Sequence, residues 1–381
     1  MKTFDVVIIG GGVIGASIAF ELARAKLRVA VLDCQQPGRE ASWAAAGMLS
    51  PAPDSSKDLP LVPLGRASLK LYPEFVASLE EASGESAGHQ REGSLEIFPA
   101  PCGDAARDRR VAQCRELGLA AEPVAIDTAR QWEPSLAPTA GAAAWFPEEA
   151  SVEPRSLMSA VLTAARSRGV EFHSDTRVTG LVREGHRCTG AVAGDEVISA
   201  GHVVVAAGCF SGEIAPGEEW LARYVPTQPV RGQMMALRPE GAGLRRVLRS
   251  EAGYLVPRRD GRIVAGSTSE QSGFQRRVTP AGMRKILDAA LELCPGLAGA
   301  ELLDSWSGLR PGTPDDLPIL GPTDIDGLLI ATGHYRNGIL LAPVTARLVR
   351  EWITGACSEL DASAYSPLRF AKHQPRTQSA H

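Results

Sequence analysis

Near the C-terminus the segment Gly333 to Pro343 reads Gly-His-Tyr-Arg-Asn-Gly-Ile-Leu-Leu-Ala-Pro. An apolar run, Leu328-Leu329-Ile330-Ala331, enters it as a strand, and an apolar stretch from Ile339 to Trp352 leaves it as a helix. The turn therefore lies at a helix N-terminus, where free backbone N–H groups and the positive end of the helix dipole favour a developing negative charge. Arg336 stands in that turn as a fixed cation, which suits an anionic substrate beside an electron-accepting ring. A second arginine, Arg310, lies between Gly308-Leu309 and Pro311-Gly312, a compact setting that can fix its direction. A carboxylate needs such a planar, permanently charged fork, because lysine offers only a point charge. The competing reading of Arg310 is a surface arginine in a Pro/Gly loop. Tyr254 stands in an alternating strand, where most tyrosines pack with a satisfied hydroxyl.

The opposite end of the chain supplies a cofactor signal. Phe4 to Ile9 is a short continuous apolar run, as a buried parallel strand requires. Gly10-Gly11-Gly12-Val13-Ile14-Gly15 follows and fits G-x-G-x-x-G. Ala16, Ala19 and Ala23 then give a helix a small-residue face that can press close to a sheet. A second strand, Arg28 to Leu32, ends at Asp33, an acid about 20 residues beyond the glycines that can accept hydrogen bonds from a ribose. Strand, glycines, helix, strand and acid in that order point to an adenine dinucleotide, although the motif does not separate FAD from NAD(P).

Composition narrows the remaining classes. A chain of 381 residues has ample core for one large or two interleaved domains. Its 44% apolar and 22% charged residues are ordinary for a globular protein. A net charge of −4 gives no reason to expect nucleic acid or an anionic membrane as partner, so a bound anion must be held by local arginines. No run reaches the roughly 18 apolar residues of a membrane helix. The apolar run after Met1-Lys2 is split by glycines and completes the nucleotide fingerprint, so it reads as structure and not as a signal peptide. Seven scattered cysteines without C-x-x-C pairing read as reduced thiols, mostly core fillers, and seven histidines show no metal-ligand spacing. A cytoplasmic location and no bound metal are expected.

Between the two ends the chain alternates. Amphipathic spacing predicts a helix over 64–79, a loop over 84–93, a strand over 95–98 and a charged helix over 103–118. A second unit opens at Glu153-Pro154-Arg155, with a helix over 156–168 ended by Gly169. Strands follow at 171–173, 178–182, 188–192 and 202–208, the last ending in small residues where α/β sheets bind ligands. Residues 224–270 read as antiparallel strands, 280–293 as a helix, and the polar residues from Ser366 onward as a frayed tail. The alternation predicts two domains that the chain enters more than once.

The fingerprint, Glu40-Ala41-Ser42-Trp43-Ala44-Ala45-Ala46-Gly47-Met48-Leu49, Arg231-Gly232-Gln233-Met234, Gly253 to Arg258, Gly308 to Asp315 and the Gly333–Pro343 turn together resemble the FAD-dependent D-amino-acid oxidase superfamily, and within it the thiamine-pathway glycine oxidase branch. The resemblance runs from about residue 4 to residue 370. It implies an α/β (α+β overall) fold in which a Rossmann-like FAD-binding domain (1–84, 147–219 and 304–370) interleaves with an antiparallel-sheet substrate domain (85–146 and 220–303), followed by a flexible tail (371–381). It implies noncovalent FAD, since Gly308 stands where related sarcosine oxidases carry a flavin-binding cysteine. It further implies oxidation of glycine, sarcosine or small D-amino acids to the imine by hydride transfer from Cα to flavin N5. Oxygen would then be reduced to hydrogen peroxide, and the imine would go to glyoxylate and ammonia or feed thiazole synthesis; a homo-oligomer is expected. The other readings are a D-amino-acid dehydrogenase that passes electrons to a quinone, and a non-catalytic flavin-binding partner protein. Carried over by position, the cofactor contacts are Gly10, Gly12, Val13, Ile14, Gly15, Asp33, Ala41, Ser42, Ala46, Gly47, Met48, Val178 and the stretch His334, Tyr335, Arg336, Asn337, Gly338, Ile339 and Leu340. Arg310 is the implied carboxylate clamp, with Arg336 at the substrate rim and Tyr254 closing the site. No residue is needed as acid or base, and His334 reads as a structural or flavin-adjacent group. Ala252 stands where a polar residue is expected, which would enlarge the site or loosen the substrate amine.

Overall fold

Apolar runs from distant parts of the chain meet in one sheet. The computed structural model describes residues 3–101, 103–214, 219–241 and 243–371. Thr3–Ile9 lies between two parallel neighbours, Val29–Leu32 and Glu196–Val205. From one edge the order is Ile319–Pro322, Leu328–Thr332, Glu196–Val205, Thr3–Ile9, Val29–Leu32 and Glu171–His173, with the hairpin Val178–Glu184/Arg187–Ala193 added antiparallel to Glu196–Val205. The central strands are buried on both faces, which their continuous Val/Ile/Leu runs require. Helices Val13–Arg24, Val62–Ser83, Pro154–Ser167 and Gly338–Thr354 pack together on one face. Ile214, Leu221, Tyr224 and the hairpin pack on the other.

A second eight-stranded sheet runs in the order Glu301–Gly312, Gln228–Arg238, Ile263–Gly266, Tyr254–Pro257, Val247–Arg249, Ser94–Pro99, Ala140–Phe146 and Glu122–Val124. Helix Pro280–Leu293 covers one face through Ile286, Ala290 and Leu293. The chain leaves the first sheet after Val29–Leu32 to build part of the second, returns for Glu171–Val205, departs again, and closes with Ile319–Thr332.

Several segments differ from their sequence-based expectation. Arg310 lies in the long edge strand Glu301–Gly312, against the competing reading of a loop arginine. Pro311 faces Pro229 across that pair, a placement open to proline because an edge strand need not donate on its outer side. Ala140–Phe146, alanine-rich and poor in strand propensity, is a strand because it is paired on both sides. The tail expected to fray from Ser366 instead forms helix Leu368–Ala371, with Arg369 bonded to Asp315 at 2.8 Å. The rest of the proposed flexible tail, 372–381, lies outside the described residues. Of the six described cysteines, Cys34 and Cys357 are exposed and four are buried. Among the described residues no helix is long and apolar enough to cross a membrane, and no group of His, Cys, Asp or Glu could hold a metal ion.

One helix carries a proline that the fold accommodates. Pro343 lies inside Gly338–Thr354 and has no N–H for the carbonyl of Ile339, four residues earlier. The buried Tyr72 hydroxyl donates to that carbonyl at 2.9 Å, and Ser68 Oγ donates to Leu340 O at 2.5 Å. Tyr72→Phe is expected to lower unfolding stability by about 1–3 kcal/mol, the penalty of an unpartnered buried carbonyl. Pro343→Ala in the same chain restores the missing donor and should recover most of that loss; denaturant midpoints of the four variants check it.

Candidate active site

The two sheets enclose a cavity of about 1480 Å³ that runs from the Gly10 turn to Arg310. That exceeds the roughly 300–1,000 Å³ of an ordinary ligand pocket, as a dinucleotide together with a substrate would require. Gly10 has a φ of +104°, and a Cβ there would lie 2.5 Å from Ala206 O. A Cβ at Gly15 would lie 1.9 Å from Gly10 O. Both positions need glycine, which lets helix Val13–Arg24 start directly above the strand end and keeps a passage open for a diphosphate. Gly10, Gly12, Val13, Ile14, Asp33, Ala41, Ser42, Ala46, Gly47, Met48 and Val178 line the cavity, whereas Gly15 lies beneath the turn and does not. Ser42 Oγ accepts from Val13 N at 2.9 Å. Asp33 accepts from the N–H groups of Gly11 at 2.7 Å and Gln35 at 2.9 Å. Burial raises its pKa above the ordinary value against those two bonds.

The Gly333 turn supplies the adjoining wall, and His334 to Leu340 all line the cavity. A Cβ at Gly333 would meet Thr313 Cγ2 at 2.5 Å, and Tyr335 N donates to Pro311 O at 3.0 Å, which fastens the turn to the strand that carries Arg310. The helix begins at Gly338 with no side-chain cap. Leu341 N makes the first helical bond, to Asn337 O at 2.8 Å, so the N–H groups of Gly338, Ile339 and Leu340 precede any helical acceptor, and these three residues stand in the cavity wall. Arg336 lies at the outer rim, 48% exposed, with Nη1 3.3 Å from Asp54 Oδ2 and its guanidinium over the Tyr335 ring. His334 is buried, with Nε2 3.0 Å from Thr345 Oγ1. Burial pushes its pKa down to about 3, so the ring is neutral.

Arg310 lies flat over Gly232: a Cβ at 232 would sit 2.2–2.4 Å from the guanidinium atoms. Nη1 donates to Thr268 O at 3.0 Å and Nη2 to Ser267 Oγ at 2.8 Å. No protein carboxylate pairs with Arg310 among the described residues, which leaves a cation on the cavity wall with free donors. The half-buried Tyr254 lines the same region, its ring lying against Gly266 of the neighbouring strand. Ala252 is also part of that wall.

Two polar groups escaped the sequence reading. Arg249 donates to Ser50 Oγ at 2.6 Å and Glu149 at 2.9 Å, and also bonds Glu96. Burial opposes its charge, but Glu149 and Glu96 more than offset that and raise its pKa. Arg258, buried, donates to Ala46 O at 2.6 Å and Val152 O at 3.1 Å, tying the second sheet to the Ala46–Gly47 segment. No spacing rule marks such residues, because their partners lie about 100 or more positions away.

Residues 5–352 match the DAO family, FAD dependent oxidoreductase. The chain is 38% identical to the bifunctional protein ThiO/ThiG of Trichormus variabilis, over 98% of this chain and 56% of that protein. It spans about half the length, 54–56%, of the three such bifunctional relatives. It is 33% identical to the glycine oxidase of Pseudomonas putida over 95% of this chain and 98% of that enzyme. The crystal structure of glycine oxidase from Geobacillus kaustophilus superposes with a TM-score of 0.88 at 32% identity, covering 96% of this chain and 98% of that one.

Two outcomes follow from the geometry. Gly232→Ala meets only the far end of a flexible side chain, so stability should change by less than about 1 kcal/mol. Arg310 must move, however, and acetate binding to the cavity should weaken about tenfold or more, measurable by calorimetry. His334 is held neutral in the fold, so its contribution to stability is complete above about pH 6.5 and is lost as pH falls toward 3. Between pH 6.5 and 5 the protein should lose about 2 kcal/mol more than a His334→Gln variant in denaturant unfolding.

Proposed function

The chain belongs to the DAO family of FAD dependent oxidoreductases, and from that premise we propose that it oxidatively deaminates glycine, and with it sarcosine or small D-amino acids. Glycine, water and oxygen give glyoxylate, ammonia and hydrogen peroxide, by way of the imine. The observation that carries this reading is Arg310, a cation without a protein carboxylate on the wall of a dinucleotide-sized cavity. An α-amino acid supplies the missing anion, and the fork can bind it bidentately.

The chemistry that bound FAD supplies is acceptance of a hydride from substrate Cα and passage of both electrons to oxygen. The Gly10–Ile14 turn, the Ala41–Met48 segment and the Gly338 helix start would hold it, and their glycines and unclaimed N–H groups suit a diphosphate and an electron-rich ring. A side chain at Gly308 would collide with Ala44 Cβ at 2.5 Å, which supports a noncovalent cofactor. Arg310 orients the substrate through its carboxylate, Tyr254 closes the pocket, and Arg336 guards the rim. The neutral amine reacts without a protein base, in keeping with the locked, uncharged His334. Likeness to the ThiO/ThiG proteins supports a place in thiamine biosynthesis, with the imine feeding thiazole formation. A cytoplasmic homo-oligomer completes the proposal.

Anaerobic glycine should bleach the visible flavin band of the purified protein, and air should restore it with formation of peroxide. Arg310→Ala should raise the glycine KM about 100-fold or more, the worth of a two-point charged contact, while flavin stays bound. Bleaching with dye reduction but little peroxide would favour the quinone-linked dehydrogenase. Unchanged glycine turnover in Arg310→Ala would refute the clamp.

A further inference from the structure

Arg310 can orient a carboxylate only if its own plane is held. Both of its protein acceptors, Thr268 O and Ser267 Oγ, lie in the segment that follows strand Ile263–Gly266. That segment is tied to strand Gln228–Arg238 by paired backbone bonds between Arg231 and Glu270 at 2.9 and 3.0 Å. Thr268 is further pinned by its side chain. Its hydroxyl accepts from Gln233 N at 3.0 Å and donates to Glu270 Oε1 at 2.6 Å. Glu270 also accepts from Gln233 Nε2 at 2.6 Å and from Arg231 Nη2. Gln233 Oε1 in turn accepts from Thr279 N at 2.7 Å, at the cap of helix Pro280–Leu293. Gln233, Thr268 and Arg231 are 0%, 4% and 5% exposed, so water cannot replace these bonds cheaply.

The network is ionic but adds no net charge. Burial works against the Glu270 carboxylate, yet bonds from Thr268, Arg231 and Gln233 bring its pKa down to about 2. It is therefore a permanent acceptor, and Arg231 balances it. Gly232 and Met234 line the cavity, whereas Gln233 alternates to the opposite face of the sheet, beside Gly282. The Gln233 and Glu270 side chains thus lie behind the sheet and bear on Arg310's acceptor through Thr268.

We infer that Thr268, Gln233 and Glu270 form a positioning network that aims the Arg310 fork at the substrate carboxylate from behind the sheet. This rests on the reading of Arg310 as the carboxylate clamp. Its effect is geometric, so it should appear in carboxylate affinity and in glycine KM, and not in flavin binding.

The test uses the flavin-loaded protein, with acetate as a carboxylate that cannot be oxidised, followed by perturbation of the flavin band. Thr268→Val and Glu270→Gln should each weaken acetate binding and raise glycine KM about tenfold, with flavin content unchanged. Thr268→Ser keeps the hydroxyl and should stay within about twofold of the native protein. In an Arg310→Lys background the fork is absent, so Thr268→Val should alter acetate binding by less than about twofold. Native acetate affinity in both Thr268→Val and Glu270→Gln would overturn the inference. So would an equal loss in the Arg310→Lys background, which would mean general loosening. Should Thr268→Val fold poorly, the nearly isosteric Glu270→Gln carries the same comparison. If the native protein fails to bind acetate at all, the clamp reading itself falls, and the network falls with it.

Discussion

Parallel pairing of Thr3–Ile9 between Val29–Leu32 and Glu196–Val205 is the constraint on which the site depends. Parallel strands bring their C-terminal ends to one edge of the sheet, and the turns that follow them therefore gather there. Four such turns meet: Gly10 after Ile9, Asp33 after Leu32, Ala206 after Val205 and Gly333 after Thr332. They come from widely separated parts of the chain, yet all line the same cavity except where a residue lies beneath its turn. The glycines then decide how closely helix and strand approach, since a single added Cβ at Gly10 or Gly15 would occupy the space of a backbone oxygen.

Charge is distributed around that edge with a clear asymmetry. Arg249 is matched by Glu149 and Glu96, Arg258 by Glu153, and Arg231 by Glu270. Such buried pairs hold segments together and offer a ligand little, because each cation is already neutralised. Arg310 differs: its two protein partners are a carbonyl and a hydroxyl, neither of which carries a charge. A half-buried cation in that state attracts an anion strongly, and its flat seat over Gly232 limits the directions from which the anion can approach. Arg336 is exposed at the rim and shares its charge with Asp54.

The second sheet contributes the wall of the cavity that carries Arg310, and its own packing sets that wall. Gly232 and Met234 turn inward while Gln233 turns toward helix Pro280–Leu293, so one strand serves both faces. Trp306 Nε1 donates to Ala44 O at 3.0 Å, and Arg155 stacks on Trp43, which couples the edge strand to the Ala41–Ala44 segment of the opposite cavity wall. Movement of either sheet would therefore displace both walls of the cavity.

By itself the sequence determined the local elements whose residues interact with near neighbours. The fingerprint, the strand before it, the acid at Asp33 and the Gly333 turn were legible because glycine, periodicity and spacing act over a few residues. Those same motifs carried the family resemblance and singled out Arg310 as a candidate. Tertiary structure alone decided that Arg310 lies in an edge strand, that Ala140–Phe146 is a strand despite its alanines, and that Leu368–Ala371 is docked. It also decided the partners of Arg249, Arg258 and Thr268. Those outcomes arise from pairing between segments tens to hundreds of residues apart, where burial and hydrogen-bond satisfaction override local propensity.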